Sequence, residues 1–194
     1  TQERIQFILS KYDVILPPNW EMFPPGEPGN LVSAYDFFSR QYGTTAFDAL
    51  VRIIREKSPQ FIPYVKSVLF TPRKMSFGNI AIMRKDLYDT YSEWLFSILF
   101  DLESQVEIPK KKEDARLFGY LSEYLLNLWI EWAKDVLNVR VWYAQHLVKM
   151  SHDSKEEKLL ETHVFNKPMA AVNEPRLSVI IPVYNTCLLY TSPS

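Results

Sequence analysis

Residues 77–106, FGNIAIMRKDLYDTYSEWLFSILFDLESQV, decide how this chain is read. FGNIAIM has the apolar, β-branched character of a buried strand, and it runs without a break into a long helical pattern. Leu87, Tyr91, Trp94, Leu95, Ile98 and Leu102 fall on one face of that helix. After the charged loop EIPKKKED, the segment ARLFGYLSEYLLNLWIEWAKD repeats the pattern around Leu121, Leu125, Leu128 and Trp132. A strand feeding a long amphipathic helix, followed by a second such helix, is the signature of a helix-rich α/β domain.

Toward the amino terminus, Ile5, Ile8 and Leu9 have helical spacing, and YDVILPP reads as a short buried strand closed by prolines. PPNWEMFPPGEPGN is too rich in proline and glycine for a regular element and is predicted to be a long surface loop. Ser33 to Lys57 reads as two helices broken at Gly43, with Thr45 and Asp48 as a capping box. Ser58 as N-cap and Pro59 at the first helical position begin another short helix. Toward the carboxy terminus, VRVWYA alternates like a strand. SHDSKEEKLLETHVFNKPMAAVNEP has a linker's composition, and RLSVIIPVYN reads as a strand buried on both faces of a parallel sheet.

The chain has 194 residues, is 47% hydrophobic and carries a formal charge of -1, so it can bury a core but has no basic field to gather nucleic acid. Nucleic-acid binding is disfavoured. A single cysteine leaves no internal disulfide framework and fits a reducing compartment, which makes the cytoplasm the expected location. The longest apolar runs fall short of the roughly 20 residues a membrane helix needs. Lys110, Lys111 and Lys112 offer a weak attraction to an anionic lipid surface, so contact with the inner face of the cell membrane is an expectation, set against an ordinary solvated loop.

Three segments in order, SKYDVILP, FGNIAIMRKDLYDTYSEWLFSILFDLE and ARLFGYLSEYLLNLWIE, resemble the carboxy-terminal part of a bacterial family. It is the domain of unknown function 4422, found in capsule and exopolysaccharide gene clusters and treated as glycosyltransferases. The resemblance covers about Thr1 to Met150 and implies a partial nucleotide-sugar-transferase (GT-A-like) domain with an incomplete sheet. Complete members begin upstream with a first strand and a His-Tyr-Arg-Arg segment that this chain lacks. They also carry histidines before IIREK, where this chain reads QYGTTAFDALVRIIREK. LSVIIPVYN in turn resembles the opening strand of family-2-like glycosyltransferases, which implies that Pro182, Tyr184 and Asn185 lie beside a nucleotide. The closing CLLYTSPS resembles a translated sequencing adapter. The expected organisation is therefore a transferase domain over 1–150, a linker over 151–175, one isolated strand of a second transferase over 176–186, and an adapter-derived tail over 187–194.

What the resemblance implies is transfer of a sugar from a nucleotide-sugar donor to a growing capsular, exopolysaccharide or lipopolysaccharide glycan, or to a lipid-linked acceptor. The fragment itself is expected to be inactive. Such chemistry needs a base for the acceptor hydroxyl, a surface for sugars, and often a metal on the diphosphate. No Asp-X-Asp occurs, Asp101-Leu-Glu103 reads as a solvated helix face, and His146, His152 and His163 have no metal-pair spacing. No metal site is therefore expected within the chain, and a Mg or Mn ion remains an expectation for the longer parent.

Glu123, set among apolar neighbours near Gly119, is the candidate catalytic carboxylate, against the alternatives of a buried partner for Arg116 or an exposed helix residue. Asn79 suits a sugar hydroxyl or a turn. Trp20, with Phe23, suits stacking on a sugar ring or anchoring of its own loop. Arg116, Asn79 and Trp20 are the candidate substrate contacts. The rival reading is a non-catalytic helical module that docks a neighbouring glycosyltransferase or its glycan.

Overall fold

The computed structural model describes residues 7–106 and 116–144, together with the backbone of 178–180. Its regular elements are β1 (Val14–Leu16), α1 (Ala34–Tyr42), α2 (Thr45–Lys57), α3 (Ile62–Leu69), β2 (Ala81–Met83), α4 (Lys85–Gln105), α5 (Leu117–Val136), β3 (Val141–Tyr143) and β4 (Ser178–Ile180). A 3-10 turn, Pro59–Phe61, leads into α3. The helix-rich α/β class with a small, incomplete sheet is what the sequence predicts.

The sheet has the order β3-β1-β2-β4. β1 runs parallel to β3, pairing Val14 with Val141 and Leu16 with Tyr143, and antiparallel to β2, pairing Val14 with Met83. Because successive side chains alternate, Val14, Leu16, Ala81 and Met83 join the main helical core, while Ile15 and Ile82 point the other way. There they meet Ala144, with Ile8, Leu9 and Trp142 packed alongside. A strand covered on both faces must be apolar throughout, as VIL is.

The strand expected to stand isolated in 176–186 does not do so. β4 pairs antiparallel with β2, Ala81 opposite Ile180 and Met83 opposite Ser178. An unpaired strand leaves a row of backbone donors and acceptors without partners, and the open edge of β2 supplies them. The linker over 151–175 and the tail over 187–194 lie outside the described residues.

The predicted face of α4 is buried at all six positions. On α5, Leu121, Leu125 and Leu128 are buried with Trp129, while Trp132 packs half-buried against Phe61 at 4.8 Å between ring centroids. Two capping expectations are corrected. The Thr45–Asp48 box does not form: Thr44 is the N-cap, without a side-chain bond, and Asp48 accepts a hydrogen bond from the Tyr35 hydroxyl at 3.2 Å. Thr45 is already helical there, so its side chain cannot reach the N–H groups a cap must satisfy. A cap does form one helix earlier, where Ser33 Oγ accepts from the Asp36 N–H at 3.0 Å. Ser58 stands at the predicted N-cap position, but its hydroxyl accepts from Trp94 Nε1 at 3.0 Å instead of capping. Gly43 breaks α1 from α2 with φ 76 and ψ 180, a conformation essentially reserved for glycine.

Candidate functional site

The loop over 75–79, which enters β2, lies along one face of α5, and hydrogen bonds join the two from end to end. At one end, Ser76 N–H donates to Asn127 Oδ1 at 3.0 Å and Asn127 Nδ2 donates back to the Ser76 carbonyl at 2.7 Å. The same Nδ2 reaches the Glu123 carbonyl at 2.8 Å. At the other end, Asn79 Nδ2 donates to the Gly119 carbonyl at 3.0 Å and to Ser122 Oγ at 2.6 Å. Positions 119, 122, 123 and 127 share a helix face by their spacing of three and four, so one side of α5 carries the whole arrangement.

Glu123 sits between these anchors, half-buried. Burial pushes its carboxyl above the usual carboxylate range, while the backbone N–H of Gly78 and the charge of Arg116 act in the opposite direction. Of the sequence alternatives, an exposed helix residue is ruled out by this burial. Arg116 acts on Glu123 through space, and its guanidinium lies over the Tyr120 ring at 5.4 Å from the centroid. No direct Arg116–Glu123 ion pair forms among the described residues. Gly119, one turn before Glu123, has open space beside it: a Cβ added there meets nothing within 4 Å among the described residues.

Of the two roles weighed for Asn79, the turn is the one its backbone adopts. It takes a left-handed turn, with φ 51, and is buried at 6% exposure. Its Nδ2 is committed to α5, and its buried Oδ1 has no partner among the described residues. A buried acceptor without a donor is costly, and such atoms in native folds call for an explanation.

Trp20 reaches the same loop through its backbone, in an antiparallel bridge in which its N–H donates to the Met75 carbonyl at 2.8 Å and the Met75 N–H donates back at 2.9 Å. The residue is 54% exposed. Phe23 is half-buried. Ser76 Oγ extends the network to the Pro17 carbonyl at 2.7 Å and Asn19 Oδ1 at 3.1 Å, which ties the segment after β1 to the segment before β2. Because β1 and β3 are parallel, this is the carboxyl end of their strands, the edge at which open α/β sheets bind ligands.

Sequence reasoning missed Ser76, Asn19 and Asn127. The signal for Asn127 is its place in LLNLW, a polar residue one turn after Glu123 in an otherwise apolar run. Asp13, Arg84 and Arg140 were missed as well, at the opposite end of the strands. Asp13 Oδ1 accepts from Arg84 Nη1 at 2.7 Å, and its Oδ2 accepts from Arg140 Nε at 3.1 Å and the Arg140 N–H at 3.0 Å. Pro182, Tyr184 and Asn185 lie outside the described residues, as do His146, His152, His163 and the lysines at 110–112. No group of three or more His, Cys, Asp or Glu among the described residues could hold a metal ion. Asp101 ion-pairs with Lys57 at 2.7 Å, consistent with a solvated face. Among the described residues, no helix is long and apolar enough to cross a membrane.

Comparison with solved structures finds the bifunctional glycosyltransferase WbbM in its apo form, 27% identical, with a TM-score of 0.65. The match covers 74% of this chain and 25% of that one, so the chain spans about a quarter of the length of that enzyme. Comparison with curated proteins gives no match. The helix-rich α/β domain built around β1, β2, α4 and α5 is thus similar in structure to a glycosyltransferase. A family model, described as a domain of unknown function (DUF4422), matches residues 1–135, and the chain belongs to that family.

Proposed function

We propose that the chain is part of a glycosyltransferase domain whose longer parent moves a sugar from a nucleotide-sugar donor to a growing capsular, exopolysaccharide or lipopolysaccharide glycan. The observation that carries this reading is Glu123. It is a half-buried carboxylate with a raised proton affinity, beside the open space over Gly119, in a fold similar to a glycosyltransferase.

In the proposed reaction, Glu123 accepts the proton of the acceptor hydroxyl as that oxygen attacks the anomeric carbon. The bond from that carbon to the diphosphate oxygen breaks, and the nucleoside diphosphate leaves with the electron pair. Arg116 supplies positive charge near the same carboxylate, Asn79 a buried acceptor, and Trp20 an exposed ring suited to the apolar face of a sugar. A Mg or Mn ion on the diphosphate would draw its ligands from elsewhere in the parent, and no step above passes through it. Within the same proposal, Pro182, Tyr184 and Asn185 belong to the nucleotide site of a second transferase. The parent works in the cytoplasm, at the inner face of the cell membrane where a lipid-linked acceptor is presented, and the fragment alone is inactive.

Glu123→Gln in the complete parent keeps shape and removes the charge. Turnover is expected to fall by roughly 100-fold or more, with the melting temperature near that of the parent. A destabilised variant with normal turnover per folded molecule would remove Glu123 from the chemistry.

The second reading, a helical docking module, is favoured by one observation. Phe96 and Phe100 on α4 are stacked at 5.8 Å between centroids and exposed at 42% and 62%. A parent that binds glycan or a neighbouring transferase through these rings, and shows no turnover of its own from this domain, fits that reading.

A further inference from the structure

We propose that Asn127 is a positioning residue for Glu123, acting through the loop over 75–79. The inference rests on the reading of Glu123 as the carboxylate of the site.

The Asn127 carboxamide grips the Ser76 peptide from both sides, as a neighbouring strand would, with its Oδ1 accepting at 3.0 Å and its Nδ2 donating at 2.7 Å. Its second Nδ2 hydrogen goes to the Glu123 carbonyl at 2.8 Å, so both donors are spent and the side chain has one orientation. The loop is thereby held at Ser76 by Asn127 and at Asn79 by Gly119 and Ser122. Gly78 lies between these anchors, with its N–H presented toward the Glu123 carboxylate. Gly78 has φ +88, and an added Cβ would meet the Ile80 side chain at an ordinary 3.5 Å, so conformation and not space requires glycine there. Releasing Ser76 frees one side of this turn and lets the Gly78 N–H swing away from the carboxylate. Because Met75, next to Ser76, is bridged to Trp20, the same grip fixes the approach of the exposed ring.

The other groups that act on or feel Glu123 are Arg116, at the N-cap of α5, and Tyr124 on α5, and neither is touched by a change at position 127. A purely structural clasp would lower the melting temperature and leave the titration of Glu123 where it was. A positioning residue moves that titration.

The test is a carbon-13 titration of the Glu123 carboxyl in the full chain, with the Gly78 amide followed in parallel. In the unsubstituted chain, the Gly78 amide proton should shift along the Glu123 titration curve. In Asn127→Ala, the Glu123 pKa should rise by about half a unit to one unit, since a donor to the charged form is lost, and the Gly78 amide should stop following it. In Ser76→Ala, the Glu123 pKa should stay put, because the peptide gripped by Asn127 is unchanged. An Asn127→Ala chain that melts earlier but titrates at the original pH overturns the proposal. Should that variant fail to fold, the unsubstituted chain still decides, because a Gly78 amide blind to the Glu123 titration overturns it equally. No readout involves turnover, so failure here is separate from failure of Glu123 as the base.

Discussion

Asp13 precedes β1 and Glu123 faces the loop before β2, and their surroundings drive the two carboxyls apart. Burial alone would raise Asp13, but hydrogen bonds from the Arg140 side chain and backbone, with the charges of Arg140 and Arg84, hold it below its ordinary value of 3.8. A lowered folded-state pKa means that the Asp13 contribution is fully present above pH 3.8 and is lost as pH falls through the lower folded value. Asp13→Ala is expected to cost about 1–3 kcal/mol at neutral pH, as the Arg140 N–H loses its acceptor, and to flatten the acid limb of a stability-versus-pH curve. Chemical denaturation from pH 2 to 7 checks both, and an unchanged acid limb would show the cluster to be inert. Gly119 poses a different question. Glycine inside a helix costs about 1 kcal/mol relative to alanine. Since a Cβ there meets nothing within 4 Å among the described residues, Gly119→Ala should stabilise the chain by up to that amount. If the open space admits substrate, the same change in the parent should raise KM; unchanged kinetics would leave the gap without a ligand.

At the scale of elements, Gly43 is the joint between α1 and α2, and an added Cβ there meets nothing within 4 Å among the described residues. Any penalty for Gly43→Ala is therefore conformational. It should be about 1–3 kcal/mol, read as a drop in the denaturation midpoint with an unchanged slope. A neutral substitution would mean that the joint relaxes freely. The long helices were legible because Leu87, Tyr91, Trp94, Leu95, Ile98 and Leu102 repeat at the helical period, a signal that local chain geometry alone creates. The caps were less legible. Ser33 and Thr45 both open an S/T-x-x-D pattern, and only tertiary contacts, such as Tyr35 reaching Asp48, decide which one forms a cap. Within the site, Glu123 and Asn79 stood out as polar groups in apolar settings. Ser76 and Asn127, which meet across 51 residues of sequence, gave no local sign of being partners.

For the whole molecule, the sheet edge is where long-range pairing outweighs local pattern. The apolar run SVI reads as a core strand of a parallel sheet, yet its backbone lies antiparallel on β2. Val179→Pro places in β4 a residue that has no N–H to donate and is disfavoured inside a sheet. It should speed hydrogen exchange of the β2 amides that face β4 while leaving α5 protected, because local openings follow cooperative units. Protection of β2 at its original level would show that β4 contributes nothing to the edge. The five tryptophans are distributed unevenly with respect to solvent. Trp129 is fully buried, Trp94 is 9% exposed and stacked on Phe61 at 4.4 Å, and Trp132 and Trp142 are half-buried. Only Trp20 stands mostly in water. A collisional quencher such as iodide or acrylamide therefore extinguishes chiefly the emission of Trp20, at the rim of the candidate site. The unlabelled chain carries its own optical probe there, and a sugar that settles on the ring would be seen as emission the quencher no longer reaches.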